Sequence, residues 1–361
     1  MEKFKAFLKR KDIVFSLSRY GIDAMGAMAL GLFCSLLIGT IIDTVGTQFD
    51  IGFLTSPVGN TSYTVGGLAK AMSGPAMACA IAHALKAPPL VLFSMLTVGF
   101  SANALGKAGG PLAVLFIAII ATELGKAVSK ETKVDILVTP LVTIGIGVFL
   151  SWLIAPGIGK GAEWVGNVIK DATNLQPFFM GIVISVLVGM ALTLPISSAA
   201  ICASLALNGL AGGAAVAGCC AQMIGFAVIS FRENRWGGLI SQGIGTSMLQ
   251  MGNIVKNPRI WIAPTLASAI TGPLATCVFN LQMNGEPLSS GMGTCGLVGQ
   301  IGVYTGWVND VAAGTKEAIT AFDWIGLILI SFVLPAILAF VFNEILRKIG
   351  WVKDGDMKLA Q

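Results

Sequence analysis

Charge is scarce in this chain: Asp, Glu, Lys and Arg make up 11% of its 361 residues, less than half the roughly 25% of a soluble domain. A surface that faces water on every side is thereby excluded. Histidine is scarcer still, with His83 alone, so no phosphohistidine relay is expected within the chain. His83 falls near the end of an apolar run beside Lys86 and reads as an interfacial side chain. No G-x-x-x-x-G-K-[ST] loop occurs, which argues against ATP hydrolysis by this chain. The seven cysteines include no C-x-x-C pair, so they indicate neither a zinc site nor a disulfide frame and read as small packing residues. No cofactor and no metal is expected.

What the chain has is apolar length. Hydrophobic residues are 55% of it and its mean hydropathy is +0.82. A crossing of about 30 Å of hydrocarbon needs about 20 residues. Runs of that kind lie at about 22–45, 65–85, 88–106, 111–128, 135–156, 178–197, 210–231, 258–280 and 324–346. The first is longer than the apolar core of a signal peptide and leads into further spans, so it is expected to remain as a span.

The net charge of +5 fits loops beside a membrane better than nucleic acid. Lys3, Lys5, Lys9, Arg10, Lys11 and Arg19 crowd the amino end, and Arg347, Lys348 and Lys353 follow the last span. By the positive-inside rule both termini are cytoplasmic. An even number of crossings, most simply ten, satisfies both ends, with the extra one hidden between 195 and 235. Residues 157–176 alternate Ile158, Trp164, Val165, Val168 and Ile169 with Lys160, Glu163, Lys170 and Asp171, the pattern of a helix lying in the interface plane. The expected organisation is an amino-terminal membrane domain over 1–156, this connector over 157–176, a carboxyl-terminal membrane domain over 177–350 and a cytoplasmic tail over 351–361.

The carboxyl-terminal half twice breaks into glycine-rich polar sequence, on either side of the run 258–280. Lipid cannot satisfy free backbone N–H and C=O groups, so irregular backbone at membrane depth is tolerated only where protein buries it or it lines a cavity. The first break offers Asn234, Ser241, Gln242, Thr246, Ser247, Gln250 and Asn253; the second offers Asn284, Glu286, Ser289, Ser290, Thr294 and Gln300. Amides and hydroxyls of this kind hold uncharged solutes such as sugars, since each sugar hydroxyl wants a donor and an acceptor. Two hydrated loops are the alternative. Against it, Ile240, Ile244, Met248, Leu249 and Met251 interleave the first break, and Leu297, Val298 and Ile301 the second. The expected fold is therefore an all-α integral membrane protein of about ten transmembrane helices, two re-entrant hairpins and an interfacial amphipathic helix. Gln242, Thr246, Ser247, Gln250, Asn253, Asn284, Thr294 and Gln300 are expected to bind the solute. Glu286 is the carboxylate expected to assist chemistry, since intramembrane carboxylates tend to be functional. A short echo also occurs between Ser73-Gly-Pro-Ala-Met-Ala-Cys79 and Thr271-Gly-Pro-Leu-Ala-Thr-Cys277, for which chance is explanation enough in so Ala- and Gly-rich a chain.

The runs Ser241-Gln-Gly-Ile-Gly-Thr-Ser-Met-Leu-Gln250, Asn257-Pro-Arg-Ile-Trp-Ile-Ala-Pro264 and Gly291-Met-Gly-Thr-Cys-Gly-Leu-Val-Gly-Gln300, with Lys86-Ala-Pro-Pro-Leu90 and Thr122-Glu-Leu-Gly-Lys126 in the amino half, resemble the IIC-like permeases of the bacterial phosphotransferase system. They look most like the single-domain branch that includes the toxin regulator named for perfringolysin O. The resemblance implies a bacterial inner-membrane homodimer whose amino-terminal half makes the dimer contact. Its carboxyl-terminal half would carry a carbohydrate between two re-entrant hairpins by an elevator-like movement, with phosphate supplied by a separate cytoplasmic IIB protein. One departure matters: better-known branches place a histidine or a Glu-bearing motif in the carboxyl-terminal half, whereas here the only histidine is at 83 and Glu286 is the one carboxylate that fits as its replacement. Two alternatives follow, a non-transporting sensor or regulator that kept the permease fold, and an ion-coupled transporter of another small solute.

Overall fold

The computed structural model describes residues 2–359, and among them every regular element is helical. The chain divides into two compact units, one reaching to Gly161 and the other starting at Ala162.

The first unit opens with α1, Glu2–Arg10, followed by α2, Arg19–Gln48. Helices α3, Val65–Ala71, and α4, Ser73–Ala84, form a pair bent by 49°. Helices α5, Pro89–Gly106, and α6, Gly110–Val128, each carry proline in the first turn, where its missing N–H costs nothing and its fixed φ suits the helix. They pack against one another about a turn at Lys107, whose φ is 49°. Helix α7 runs Asp135–Ala172 for 38 residues through Pro140 and Pro156, about 57 Å at 1.5 Å per residue and so well beyond one crossing. No loop separates its apolar part from residues 157–172. Glu123 and Lys126 on α6 pair at 3.0 Å with side chains 9% and 2% exposed, the one-turn spacing that lets buried charges neutralise each other.

The second unit contains α8, Pro177–Thr193, α9, Ser198–Ser204, and α10, Gly209–Ile229. After α10 come α11, Phe231–Ile240, α12, Met251–Lys256, α13, Pro258–Val278, α14, Val298–Ala312, and α15, Ala321–Lys348. A capping box of Thr320 and Asp323 starts α15 and satisfies two otherwise orphaned donors. Helix α10 is the centre of this unit: 89% of its apolar window is buried, and it packs on α8, α13 and α15. Its small residues make that possible. A Cβ on Gly218 would lie 1.9 Å from the Ser185 carbonyl oxygen of α8, so only glycine lets the two backbones approach this closely. The remaining core is apolar, with Val216, Cys220, Val303, Trp307, Leu327 and Ile330 packed together.

Among the described residues, six helical stretches are long and apolar enough to cross a membrane, with α5 and α6 counted together as Pro89–Val128, seven with the bent pair, and α8 is a shorter apolar helix besides. The chain is a multi-pass membrane protein. The two Gly-Pro echoes share a physical role: a Cβ on Gly74 would lie 2.3 Å from the Gly99 carbonyl, and one on Gly272 2.1 Å from the Gly181 carbonyl. Each glycine sits where two helices touch backbone to backbone.

Candidate functional site

The first polar break leaves α10 at Ser230 and is irregular throughout. Helix α11 is interrupted at Arg235 with φ 52°, a wide turn follows over Ser241–Gly245, and Thr246 is extended with its hydroxyl accepting the Met248 N–H at 3.2 Å. Three amides then form a ladder. The Gln242 Nε2 donates to the Ser230 hydroxyl and the Gly238 carbonyl, both at 2.9 Å. Gln250 Nε2 donates to Gln242 Oε1 at 2.8 Å, and Asn253 Nδ2 to Gln250 Oε1 at 2.8 Å. Gln242 and Gln250 are fully buried and Asn253 is 6% exposed.

The carboxyl-terminal segment closes the open end of this ladder. Gln250 Nε2 and Asn234 Nδ2 both donate to the Met357 carbonyl, at 3.0 and 2.8 Å, and Asn253 Nδ2 donates to the Lys358 carbonyl at 3.0 Å. Met357 itself is wholly buried, and Arg347 pairs with Glu233 at 2.9 Å and with Asp354. Residues 351–359 are thus strapped onto the first break.

A second network centres on Gln222 of α10. Its Oε1 accepts from Trp261 Nε1 at 2.9 Å and Thr193 Oγ1 at 3.3 Å, while its Nε2 donates to Thr265 and Ser268 hydroxyls at 3.3 and 3.4 Å. Ser247 of the first break joins through Thr193, hydroxyl to hydroxyl at 2.8 Å.

The second break folds against the same helix and touches the first, with Cys295–Leu297 packed on Ser241–Gly245. Gly293 has φ 54°, and a Cβ there would lie 2.6 Å from that of Cys219. Thr294 is fully buried with its hydroxyl 3.5 Å from Met223 Sδ. Gln300 Nε2 reaches Cys220 Sγ at 3.2 Å, and its buried Oε1 has no partner. Asn284 lies apart from these: it donates to Asp310 Oδ2 at 2.7 Å and accepts the Gly209 N–H at 3.2 Å, beside the isolated bridge between Gly209 and Met283. Glu286 is exposed, and among the described residues nothing pairs with its carboxylate.

The structure therefore brings Gln242, Ser247, Gln250, Asn253, Thr294 and Gln300 against one buried region around α10, with Thr246 shaping the backbone between them, and leaves Asn284 and Glu286 outside it. Sequence reasoning passed over Gln222, Thr193, Trp261 and the strap. Gln222 carried a readable signal as the one side-chain amide in an otherwise apolar and small-residue span, where such a group must find an interhelical partner. The chemistry on offer is largely neutral: among the described residues of the second unit those buried as whole residues are amides and hydroxyls, and the one charge pair sunk beside them is Glu233 with Arg347, side chains 8% and 10% exposed. Amides and hydroxyls of this kind can exchange hydrogen bonds with an uncharged polyhydroxyl solute.

No curated protein and no solved structure matches the chain significantly. The family described as Phosphotransferase system, EIIC, matches residues 22–359, almost the whole chain; the match is to the family and does not separate out the toxin-regulator branch. The chain belongs to the EIIC family of the phosphotransferase system, as a sugar-transport permease component in a multi-pass membrane protein.

Proposed function

We propose that this permease component carries a carbohydrate across the bacterial inner membrane by an elevator-like movement of its carboxyl-terminal half. The observation that supports the reading is the set of buried amides and hydroxyls around α10, including the open acceptor Gln300 Oε1. A sugar hydroxyl matches such groups, and each unmet one costs about 1–3 kcal/mol when buried. The protein works as a homodimer of ten-span subunits with both termini cytoplasmic. Glu286 meets a separate IIB protein's phosphoryl chemistry or the sugar hydroxyl only when the site opens toward the cytoplasm, which fits its exposed position.

The test is binding and uptake of a carbohydrate panel by purified protein reconstituted in vesicles. Thermal stabilisation by at least one sugar is expected, abolished in Gln300→Leu; a folded protein stabilised by none would overturn the reading. Glu286→Gln is expected to leave the melting midpoint unchanged and to slow phosphate-coupled uptake, and unchanged uptake would deny Glu286 a part in the transport cycle. A collapse of uptake with the proton or sodium gradient, without dependence on phosphoenolpyruvate, would favour an ion-coupled carrier instead.

A further inference from the structure

Outside the solute region the first unit holds a cavity of about 370 Å³. Five basic residues line it, Arg10, Lys11, Lys86, Lys126 and Lys130, against the two carboxylates of Asp12 and Glu131, which leaves three positive charges in excess. The carboxylates are already engaged: Glu131 lies 2.6 Å from Arg10 and 2.5 Å from Lys11, and Asp12 lies 2.6 Å from Arg19. Lys126 is spoken for by Glu123 and by the Asp12 and Leu85 carbonyls at 2.7 and 2.9 Å. Lys86 and Lys130 are exposed, and among the described residues neither side chain has a carboxylate within ion-pair distance. Both hold a left-handed backbone, φ 57° and 61°, which fixes them at tight turns next to the cavity.

The position of the cavity says what kind of anion it suits. Its lining comes from the end of α1 and the two residues after it, the turn before α5, the end of α6 and the turn before α7, so three of its four contributors border the ends of apolar helices. Directly flanking the lining in sequence are large apolar side chains left open, Phe15 and Leu17 on one side and Ile136 and Leu137 on the other, each about 70% exposed or more. A free anion has no use for that apolar border. We propose that the cavity binds the phosphate of an anionic phospholipid headgroup, with Lys86 and Lys130 as its unspent cations and the acyl chains against the neighbouring apolar residues. Basic pockets between helix ends recognise such headgroups, and each lysine near the surface contributes about fivefold in affinity.

The test uses delipidated full-length protein in detergent, titrated with phosphatidylglycerol, phosphatidylcholine and inorganic phosphate, with bound lipid read by native mass spectrometry. Wild type is expected to prefer phosphatidylglycerol over phosphatidylcholine by tenfold or more. Lys86→Asn with Lys130→Asn is expected to weaken phosphatidylglycerol roughly 25-fold if the two act independently, and asparagine tolerates the left-handed backbone at both positions. Should the double variant aggregate, each single variant reads about fivefold. Equal binding of the two lipids, or undiminished phosphatidylglycerol binding by a folded variant, overturns the proposal. Displacement of the lipid by equimolar inorganic phosphate also overturns it, since the ligand would then be the free anion.

Discussion

The side-chain amide of Gln250 donates to the backbone carbonyl of Met357 at 3.0 Å, across 107 residues of chain. One glutamine thereby joins the strap to the ladder, because the same nitrogen also donates to Gln242 and its oxygen accepts from Asn253. Deleting the chain after Gly350 is expected to lower the melting midpoint in detergent, since it strips three amides of carbonyl partners and removes the fully buried Met357, a side chain whose truncation alone costs about 2–5 kcal/mol. The sharper measurement is the cycle with Gln250→Leu. That substitution should cost less in the truncated chain than in the whole one, because only the whole chain has the Gln250–Met357 bond to lose, the carbonyl then keeping Asn234 Nδ2 alone; strict additivity would show the contact to be worthless.

Gln222 is expected to matter more than any single residue of the two breaks. Gln222→Leu fills the space but leaves Trp261 Nε1 and the Thr193, Thr265 and Ser268 hydroxyls without their shared partner. A loss of about 1–3 kcal/mol for each group that finds no other partner follows. Thr265 and Ser268 retain the carbonyls of Trp261 and Pro264 at 2.8 and 2.9 Å, and Thr193 retains the Ser247 hydroxyl at 2.8 Å, so the indole N–H carries most of the effect. Thermal melts measure the total, and Trp261 fluorescence should shift as its N–H loses its acceptor.

These two cases show where the sequence was legible. The multi-pass, all-helical character was legible because a helix in lipid must be apolar along its length, whereas the number of crossings was not, since the runs at 88–106 and 111–128 join into one apolar stretch and the run at 65–85 is bent by 49°. The broken backbone of residues 230–256 was readable from its glycines and its mixture of polar and apolar side chains. The strap was not, because Met357 and Lys358 offer only backbone carbonyls to the ladder, and a carbonyl carries no residue identity. Asn284 and Gln300 looked alike as polar residues of one break; only packing reveals that the first ties a loop to Asp310 while the second points an unmet oxygen into the core.

The segment entering α2 should be acid-sensitive. The Arg19 guanidinium bonded to Asp12 holds that carboxyl below its ordinary range, and Lys11 does the same for Glu131. A carboxyl with a depressed folded pKa contributes stability that is complete above its unfolded pKa of about 4 and is lost as pH falls through the lower folded value. Melting midpoints are therefore expected to be insensitive to this pair from pH 7 to about 4.5 and to decline below that. Asp12→Asn, permitted by the backbone φ of 53°, should start lower and decline less steeply. Equal slopes for the two proteins would show that Asp12 does not carry the effect.

Gly218 and Gly145 offer a matched pair for testing whether small residues hold the second unit together. Both lie inside helices, yet a Cβ on Gly218 would sit 1.9 Å from the Ser185 oxygen, whereas one on Gly145 meets nothing within 4 Å. Backbone atoms cannot swing away as a side chain can, so Gly218→Ala must push α8 off α10 and with it the Thr193 contacts to Gln222 and Ser247. Overpacking of a close core typically costs 1–3 kcal/mol and occasionally more, so low yield of folded protein is the expected outcome. Gly145→Ala, by contrast, should be neutral or stabilising by up to about 1 kcal/mol, the gain in helix propensity with no clash to offset it. Melting midpoints of the two variants in the same detergent decide the matter. Equal behaviour would mean that the α8–α10 contact relaxes freely, and the close backbone approach would lose its role in positioning Gln222.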